Sequence, residues 1–328
     1  MEAVLPLISV LMPVFNCRQT VAEAIESVLA QTLGDFELIA IDDGSTDDSA
    51  MAISEFAARD ARVRVVRQQN RGVGAALNAA LDLARGKFVA RMDADDRTMP
   101  DRFARQVAFL DGHAEVAVVG GWHRTFGGAE NRVVEFPTDP ARLKATLLFR
   151  NAISHPTVMM RREELLANGW RYQNRPRFPE DYDLWVTIAQ RRELANLPVV
   201  LLDYRIWPGS MCQTPWPELR IQSLAAQCRL LEMIGLVPDA DQRDIHLALA
   251  FDQISDDADF ICSAYRWLVQ IHQANQRKKF FESEALARVL TGRYIALVRA
   301  AARSGWPVAG LAESIFRPYV EIPLPFVA

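Results

Sequence analysis

Lys87-Phe88-Val89-Ala90-Arg91-Met92-Asp93-Ala94-Asp95-Asp96 runs from an apolar segment straight into a cluster of carboxylates. The apolar part is too short for a helix and has the length of a buried strand. Working outward, the same short apolar pattern precedes it at residues 7–13, 36–41 and 63–66. Helical spacing fills the gaps. Residues 20–31 carry Val21, Ala24, Ile25, Val28 and Leu29 on one face, and 49–58, 74–84 and 100–110 repeat the pattern. Strands alternating with helices in this way predict an α/β domain, with a mostly parallel sheet flanked by helices in the Rossmann-like manner.

Beyond residue 112 the alternation loosens. Strands are expected at 116–119, 132–136, 156–160 and 197–204, and helices at 140–149 and 180–190. The proline-rich stretch 208–217 marks a boundary. After it, helical patterns occupy 218–234, 241–253, 257–273, 282–290 and 293–303. The expected division is therefore a catalytic domain over 1–210 and an all-helical region over 211–328.

Composition excludes several classes. The net charge of −4 lacks the basic excess of a nucleic-acid binder. Cys17, Cys212, Cys228 and Cys262 form no CxxC pair, so neither a zinc site nor a redox pair is indicated. No apolar run approaches the roughly 20 residues that span a bilayer. With no signal-peptide pattern, the expected location is cytoplasmic, at most peripheral at the inner face of a membrane.

Ligands of open parallel sheets gather at the carboxyl ends of the strands. Three polar clusters fall there. Pro13-Val14-Phe15-Asn16 follows the first strand, Asp42-Asp43-Gly44-Ser45-Thr46-Asp47 the second, and Asp93-Ala94-Asp95-Asp96 the fourth. Two carboxylates one residue apart can share a hard divalent cation. Taken singly, each acidic cluster is also ordinary turn and helix-capping material. Arg71-Gly72-Val73-Gly74 is too incomplete for a dinucleotide fingerprint, and it could line a cleft or simply admit a close helix. Glu180-Asp181 opens a helix after Pro179, where acids are common, yet a carboxylate there could take a proton from an attacking hydroxyl. His155 could contact a phosphate or sugar, or serve as a hydrogen-bonded loop residue.

In combination the segments 8–16, 38–47, 70–78, 92–96 and 180–185 resemble the family 2 glycosyltransferases of GT-A fold, in the right order. The likeness covers about residues 5–210. It implies an inverting, non-processive transferase that uses a nucleotide-sugar donor, most simply a UDP-sugar, and a glycan or lipid-linked acceptor. It also implies Mn²⁺ or Mg²⁺ as cofactor and polysaccharide biosynthesis as the setting. By the same resemblance Pro13, Phe15, Asn16, Asp42, Asp43, Arg71 and Asp93 would border the nucleotide, and Asp95 with Asp93 would hold the metal. Asp181 would be the general base, assisted by Glu180, with His155 near phosphate or acceptor. There are two departures. The Gln-x-x-Arg-Trp motif of processive relatives is missing, and Trp207 stands where many relatives place the histidine of Tyr-Arg-x-His.

Two other readings are open. A sugar-nucleotide nucleotidyltransferase would carry a glycine-rich basic loop after the first strand, where this chain has Pro13-Val14-Phe15-Asn16. A non-catalytic nucleotide-sugar-binding protein would have lost the acids that stand at positions 43, 93, 95 and 181. The helical region could pack on the catalytic domain, form a homodimer or cover the acceptor. Its Arg277-Lys278-Lys279-Phe280-Phe281 run could touch an anionic membrane, or be a solvated charge run beside buried rings.

Overall fold

The computed structural model describes residues 5–128, 130–175, 179–207, 217–305 and 314–320. The chain falls into two compact units, one of Met1–Thr138 and Ile153–Trp216, the other of Asp139–Ala152 and Pro217–Ala328.

The first unit is built on one sheet. Strands β1 (Ile8–Val14), β2 (Phe36–Asp42), β3 (Val63–Arg67) and β4 (Phe88–Arg91) pair in parallel in the order β3-β2-β1-β4. The helices between them are α1 (Val21–Leu29), α2 (Ser49–Arg59) and α3 (Val73–Leu83). The sheet then gains the two-residue β5 (Arg97–Thr98), β6 (Val116–Phe126), β7 (Val133–Val134), β8 (Met159–Arg161) and β9 (Glu193–Arg205). It continues from β4 as β8-β6-β9-β5, with β7 on β6. Only β8, β5 and β7 run against the rest. Helices α4 (Arg102–Gly112), α6 (Arg162–Ala167) and α7 (Glu180–Ala189) complete the unit.

Strand alternation explains the core. Ile8, Val10, Met12 and Val14 pack with Val21, Ile25 and Val28 of α1 and with Phe103 and Leu110 of α4. Phe36 meets Phe103 edge-on, ring centres 5.7 Å apart. The alternate residues Leu11, Ile39 and Ile41 are equally buried on the other face, where α3 crosses β1 and β2. Both faces are covered, which is why the strands read as unbroken apolar runs.

The expected elements appear within a few residues of their predicted bounds, with differences that tertiary contact explains. Strands β6 and β9 are longer than 116–119 and 197–204, since they pair with each other from Val116–Glu193 to Phe126–Arg205. The expected strand at 156–160 is a short 3₁₀ turn at His155–Thr157 followed by β8. Helix α6 and strand β5 had no local signal strong enough to predict them.

In the second unit, segment 139–152 packs among the tail helices. Its helix α5 (Pro140–Thr146) is capped by Asp139, which accepts from Ala141 N, and it lies on α11 (Ser283–Arg303). Three further helices, α8 (Pro217–Met233), α9 (Ala240–Ala250) and α10 (Ala258–Lys278), belong to the same unit. His246 makes the central tie. Its Nε2 lies 3.0 Å from Leu148 O, and its Nδ1 accepts from Trp267 Nε1 at 3.2 Å. With one ring nitrogen accepting and the other donating, the imidazole is neutral, and burial holds its pKa down to about 4. Gln227 donates to Phe149 O nearby.

The helices expected at 282–290 and 293–303 are one continuous α11, because Leu290, Tyr294, Leu297 and Val298 bury a single face across Gly292. Phe281 is buried, and Phe280 lies beneath Lys144, whose Nζ is 3.8 Å from the ring centre. The aromatic pair thus packs inward, while Arg277, Lys278 and Lys279 stay exposed. Phe316 packs against Tyr265 and Tyr294. The boundary stretch 208–216 and residues 321–326 lie outside the described residues. Among the described residues no helix is long and apolar enough to cross a membrane.

Gly44 offers a test of the turn that carries the second acidic cluster. Its φ is +78°, and an added Cβ would stand 2.7 Å from Asn70 N. Gly44→Ala therefore lowers unfolding free energy by about 1–3 kcal/mol in urea titration, from left-handed strain plus the clash. A change below a few tenths would show that the turn relaxes freely.

Candidate active site

The carboxyl ends of β1, β2 and β4 are interlocked. After β1, Asn16 takes a left-handed conformation (φ 53°), which Asn tolerates better than most residues. Its Oδ1 accepts from Thr46 N at 2.8 Å, and its N–H donates to Ser45 Oγ at 3.0 Å. The first and second loops are thereby tied together, with Pro13 partly buried and Phe15 exposed at the rim. Asp42 is fully buried. It accepts from Ser45 N at 3.1 Å and pairs with Arg67 Nε at 3.1 Å. Asp43 reaches the third loop, with Oδ1 accepting from Gln68 Nε2 (2.6 Å) and Arg71 N (3.0 Å), and Oδ2 from Gly72 N (2.8 Å). Gly72 has φ +90°, and a Cβ on Gly74 would fall 2.8 Å from Gln173 O, so both glycines are required by local geometry.

At the end of β4, Asp93, Asp95 and Asp96 each place one carboxylate oxygen within 4.8 Å of the others. The loop is held from several sides. Thr20 Oγ1 donates to Ala94 O (3.0 Å) and Arg205 Nε to Asp95 O (2.7 Å). Arg205 N donates to Asp96 Oδ1 (2.8 Å), and Trp207 Nε1 to Asp95 Oδ2 (3.0 Å). Arg205 also pairs with Glu23, and its guanidinium lies 4.4 Å from the ring centre of Phe126. Asp96 is 1% exposed, and its Oδ2 has no hydrogen-bond partner among the described residues. Burial, then the charges of Asp93 and Asp95, raises the Asp96 pKa well above the usual carboxylate range, and burial with Asp93 raises that of Asp95.

Arg91 is the counter-charge. It is buried and pairs with Asp93. Burial acts to lower its pKa, but Asp93 and Asp96 outweigh this and hold it charged. Arg102 lies below, donating to Arg91 O (2.8 Å) and Val158 O (3.1 Å).

Glu180 and Asp181 begin α7. Burial first, and Asp181 second, push the Glu180 pKa up to about 7. The charges of Arg91 and Asp93 also act on Glu180. Tyr172 joins the two sides. It is linked to Asn78 of α3 through its backbone, and its hydroxyl lies 3.1 Å from His155 Nε2. His155 is enclosed between the rings of Tyr172 and Trp185, and burial drives its pKa well below the usual range, so the ring is neutral.

The structure thus brings together Asp93, Asp95 and Asp96 and ties the loops bearing Asn16, Asp43 and Arg71 to one another, while Glu180 and Asp181 open α7, where the charge of Asp93 reaches Glu180. Sequence reasoning did not assign roles to Arg91, Asp96, Arg205 or Trp207. For Arg91 a signal existed, a charge inside an apolar strand. A cavity of about 1190 Å³ lies at the opposite, amino-terminal ends of the strands, among Leu7, Gly86, Phe88 and Arg161, and holds none of these acids.

Glu180 binds its proton more tightly folded than unfolded. Its contribution to stability is therefore complete below the ordinary glutamate range and lost as pH rises through about 7. Glu180→Gln then raises stability at about pH 8 by on the order of 2 kcal/mol, with the gain shrinking as pH falls. Thermal melts at several pH values check this, and a pH-independent difference would contradict it.

Residues 9–170 match the model of the family described as Glycosyl transferase family 2. Over 202 residues the chain is 31% identical to the amylovoran biosynthesis glycosyltransferase AmsE of Erwinia amylovora, covering 60% of this chain and 75% of that one. The chain spans from 66% to 75% of the first four curated relatives it matches. Among solved structures, S. aureus TarS 1–349 in complex with UDP-GlcNAc superposes with TM-score 0.60 at 18% identity, over 91% of this chain and 92% of that one. The mannosyltransferase PcManGT from Pyrobaculum calidifontis, in complex with GDP-Man and Mn²⁺, does so with TM-score 0.51 at 18% identity, over 97% and 84%. At such identities the structural likeness speaks for the fold. With the order of motifs, the curled mixed sheet and these matches together, the chain belongs to glycosyl transferase family 2 and is a glycosyltransferase of GT-A fold.

Proposed function

We propose that the enzyme moves a sugar, with inversion, from a nucleotide-diphosphate donor to a hydroxyl of a glycan or lipid-linked acceptor, with a UDP-sugar as the first donor to test. The observation that carries this reading is the convergence of Asp93, Asp95 and Asp96, with the buried Asp96 Oδ2 lacking a hydrogen-bond partner among the described residues. A buried carboxylate oxygen left unsatisfied is costly, and an all-oxygen set suits a hard cation such as Mn²⁺ or Mg²⁺. Asp95 and Asp93 would hold it, with Asp96 beside them. Bound there, the cation would supply charge neutralisation to the nucleoside diphosphate leaving group. The similar folds solved with UDP-GlcNAc and with GDP-Man and Mn²⁺ support both the donor class and the metal.

The chain's own groups then divide the work. Asp43 uses three of its roughly four acceptor directions inside the fold, and the remaining one on Oδ2 suits an N–H of the base. Asn16, Pro13 and Phe15 border that space, with the Arg71 loop opposite. Asp181 takes the proton of the acceptor hydroxyl as it attacks, with Glu180 beside it in the first turn of α7. Attack from the face opposite the leaving group in one displacement inverts the anomeric centre. We place this reaction in the cytoplasm, with peripheral contact at the inner face of the membrane where the acceptor is lipid-linked.

Calorimetry of UDP, dTDP, GDP and ADP, each with Mn²⁺ and then with EDTA, tests the donor side. One nucleotide binds only with metal, and Asp95→Ala abolishes that binding. Absence of binding by any of the four would turn the reading toward a non-catalytic scaffold. Asp181→Asn tests the acceptor side. It lowers kcat by about 10²–10⁴ and leaves donor affinity near wild type, while NMR of the first product shows the inverted anomer. Pyrophosphate release from a nucleoside triphosphate and a sugar phosphate would instead favour nucleotidyl transfer.

A further inference from the structure

Trp207 stands two residues beyond the carboxyl end of β9 and is 46% exposed, so core packing does not account for it. Its Nε1–H donates to Asp95 Oδ2 at 3.0 Å. Two residues earlier on the same segment, Arg205 Nε donates to the carbonyl of Asp95 at 2.7 Å and Arg205 N to Asp96 Oδ1 at 2.8 Å. The end of β9 therefore grips Asp95 twice, once by its backbone and once by its carboxylate. Asp93 is held separately, from within β4, by Arg91.

Indole is a donor with no acceptor lone pair on nitrogen, so Trp207 cannot ligate a cation. What it can do is satisfy one oxygen of Asp95 and fix the carboxylate plane, leaving the other oxygen for coordination. Partners that orient a ligand in this way change metal affinity without touching the metal. Resting on the proposed metal-assisted reading, we propose that Trp207 is a positioning residue for the divalent-cation site, acting through the carboxylate of Asp95. The exposed ring makes this a contact that can be removed without opening the core.

The test compares wild type with Trp207→Phe, which keeps an aromatic ring and deletes the N–H. Mn²⁺ is titrated alone and with UDP (or GDP, if calorimetry selects it), free Mn²⁺ being read by electron paramagnetic resonance. The expected result is Mn²⁺ affinity about 10-fold weaker in the variant, with an unchanged melting temperature. In ¹⁵N spectra of the indole groups of the seven tryptophans, the signal that disappears in Trp207→Phe shifts when Mg²⁺ and nucleotide are added to wild type. Mn²⁺ affinity within twofold of wild type, or a lowered melting temperature with unchanged Mn²⁺ affinity, would overturn the inference while leaving the transferase reading intact. If wild type itself binds no Mn²⁺ with nucleotide, the metal-assisted reading and this inference fall together.

Discussion

Three carboxylates meeting at the end of one strand repel each other, and the fold has to hold that charge in place. The buried guanidinium of Arg91 supplies the fixed positive charge, directly against Asp93 and within reach of Asp96. Burying an arginine brings little net stability, since desolvation offsets most of the attraction. Its placement has consequences all the same. Arg102 sits under it, satisfying the carbonyls of Arg91 and Val158, and burial first, with the charge of Arg91 second, pulls Arg102 down to about 9. Gln106 then takes the carbonyls of Val119 and Thr157, so a single buried polar column links β4, α4, β6 and the turn before β8.

Much of the first half of the fold could be read from the sequence because each strand is short, apolar and followed by a helix of clear period. The rest depends on contacts distant in sequence. Strand β5 is two residues long and exists only through pairing with β9. The length of β6 and β9 comes from their mutual ladder rather than from composition. Residues 139–152 show a helix signal of their own, but nothing local says that His246 and Gln227 bind them among the tail helices. At Thr291-Gly292 a local helix-breaking signal lost to a continuous buried face.

The site divides in the same way. Acids at strand ends are visible from pattern, because open parallel sheets use those ends. Pattern does not separate acids that close turns from acids that face a ligand. Asp42 and Asp43 are neighbours in sequence, yet one is sealed under Ser45 and Arg67 and the other collects donors from the third loop. Arg205 and Trp207 stand more than a hundred residues from the acids they hold, and only the folded register of β9 brings them there.

On the proposed reading, the donor and acceptor sides of the site are organised on different physical terms. On the donor side nearly every loop is tied to another: Asn16 to Thr46, Asp43 to the third loop, Thr20 and Arg205 to the backbone of the acidic loop. Groups that meet a developing charge work best when they need no rearrangement as it forms, so rigidity belongs where a diphosphate departs. The acceptor side needs something else. A general base has to hold a proton affinity near the working pH, and placement alone does not provide that. There the chain sets the proposed base Asp181 beside Glu180 in the first turn of α7, and burial first and Asp181 second raise that neighbour, Glu180, to about 7. On the proposed reading, rigidity serves the leaving group and charge repulsion serves the nucleophile.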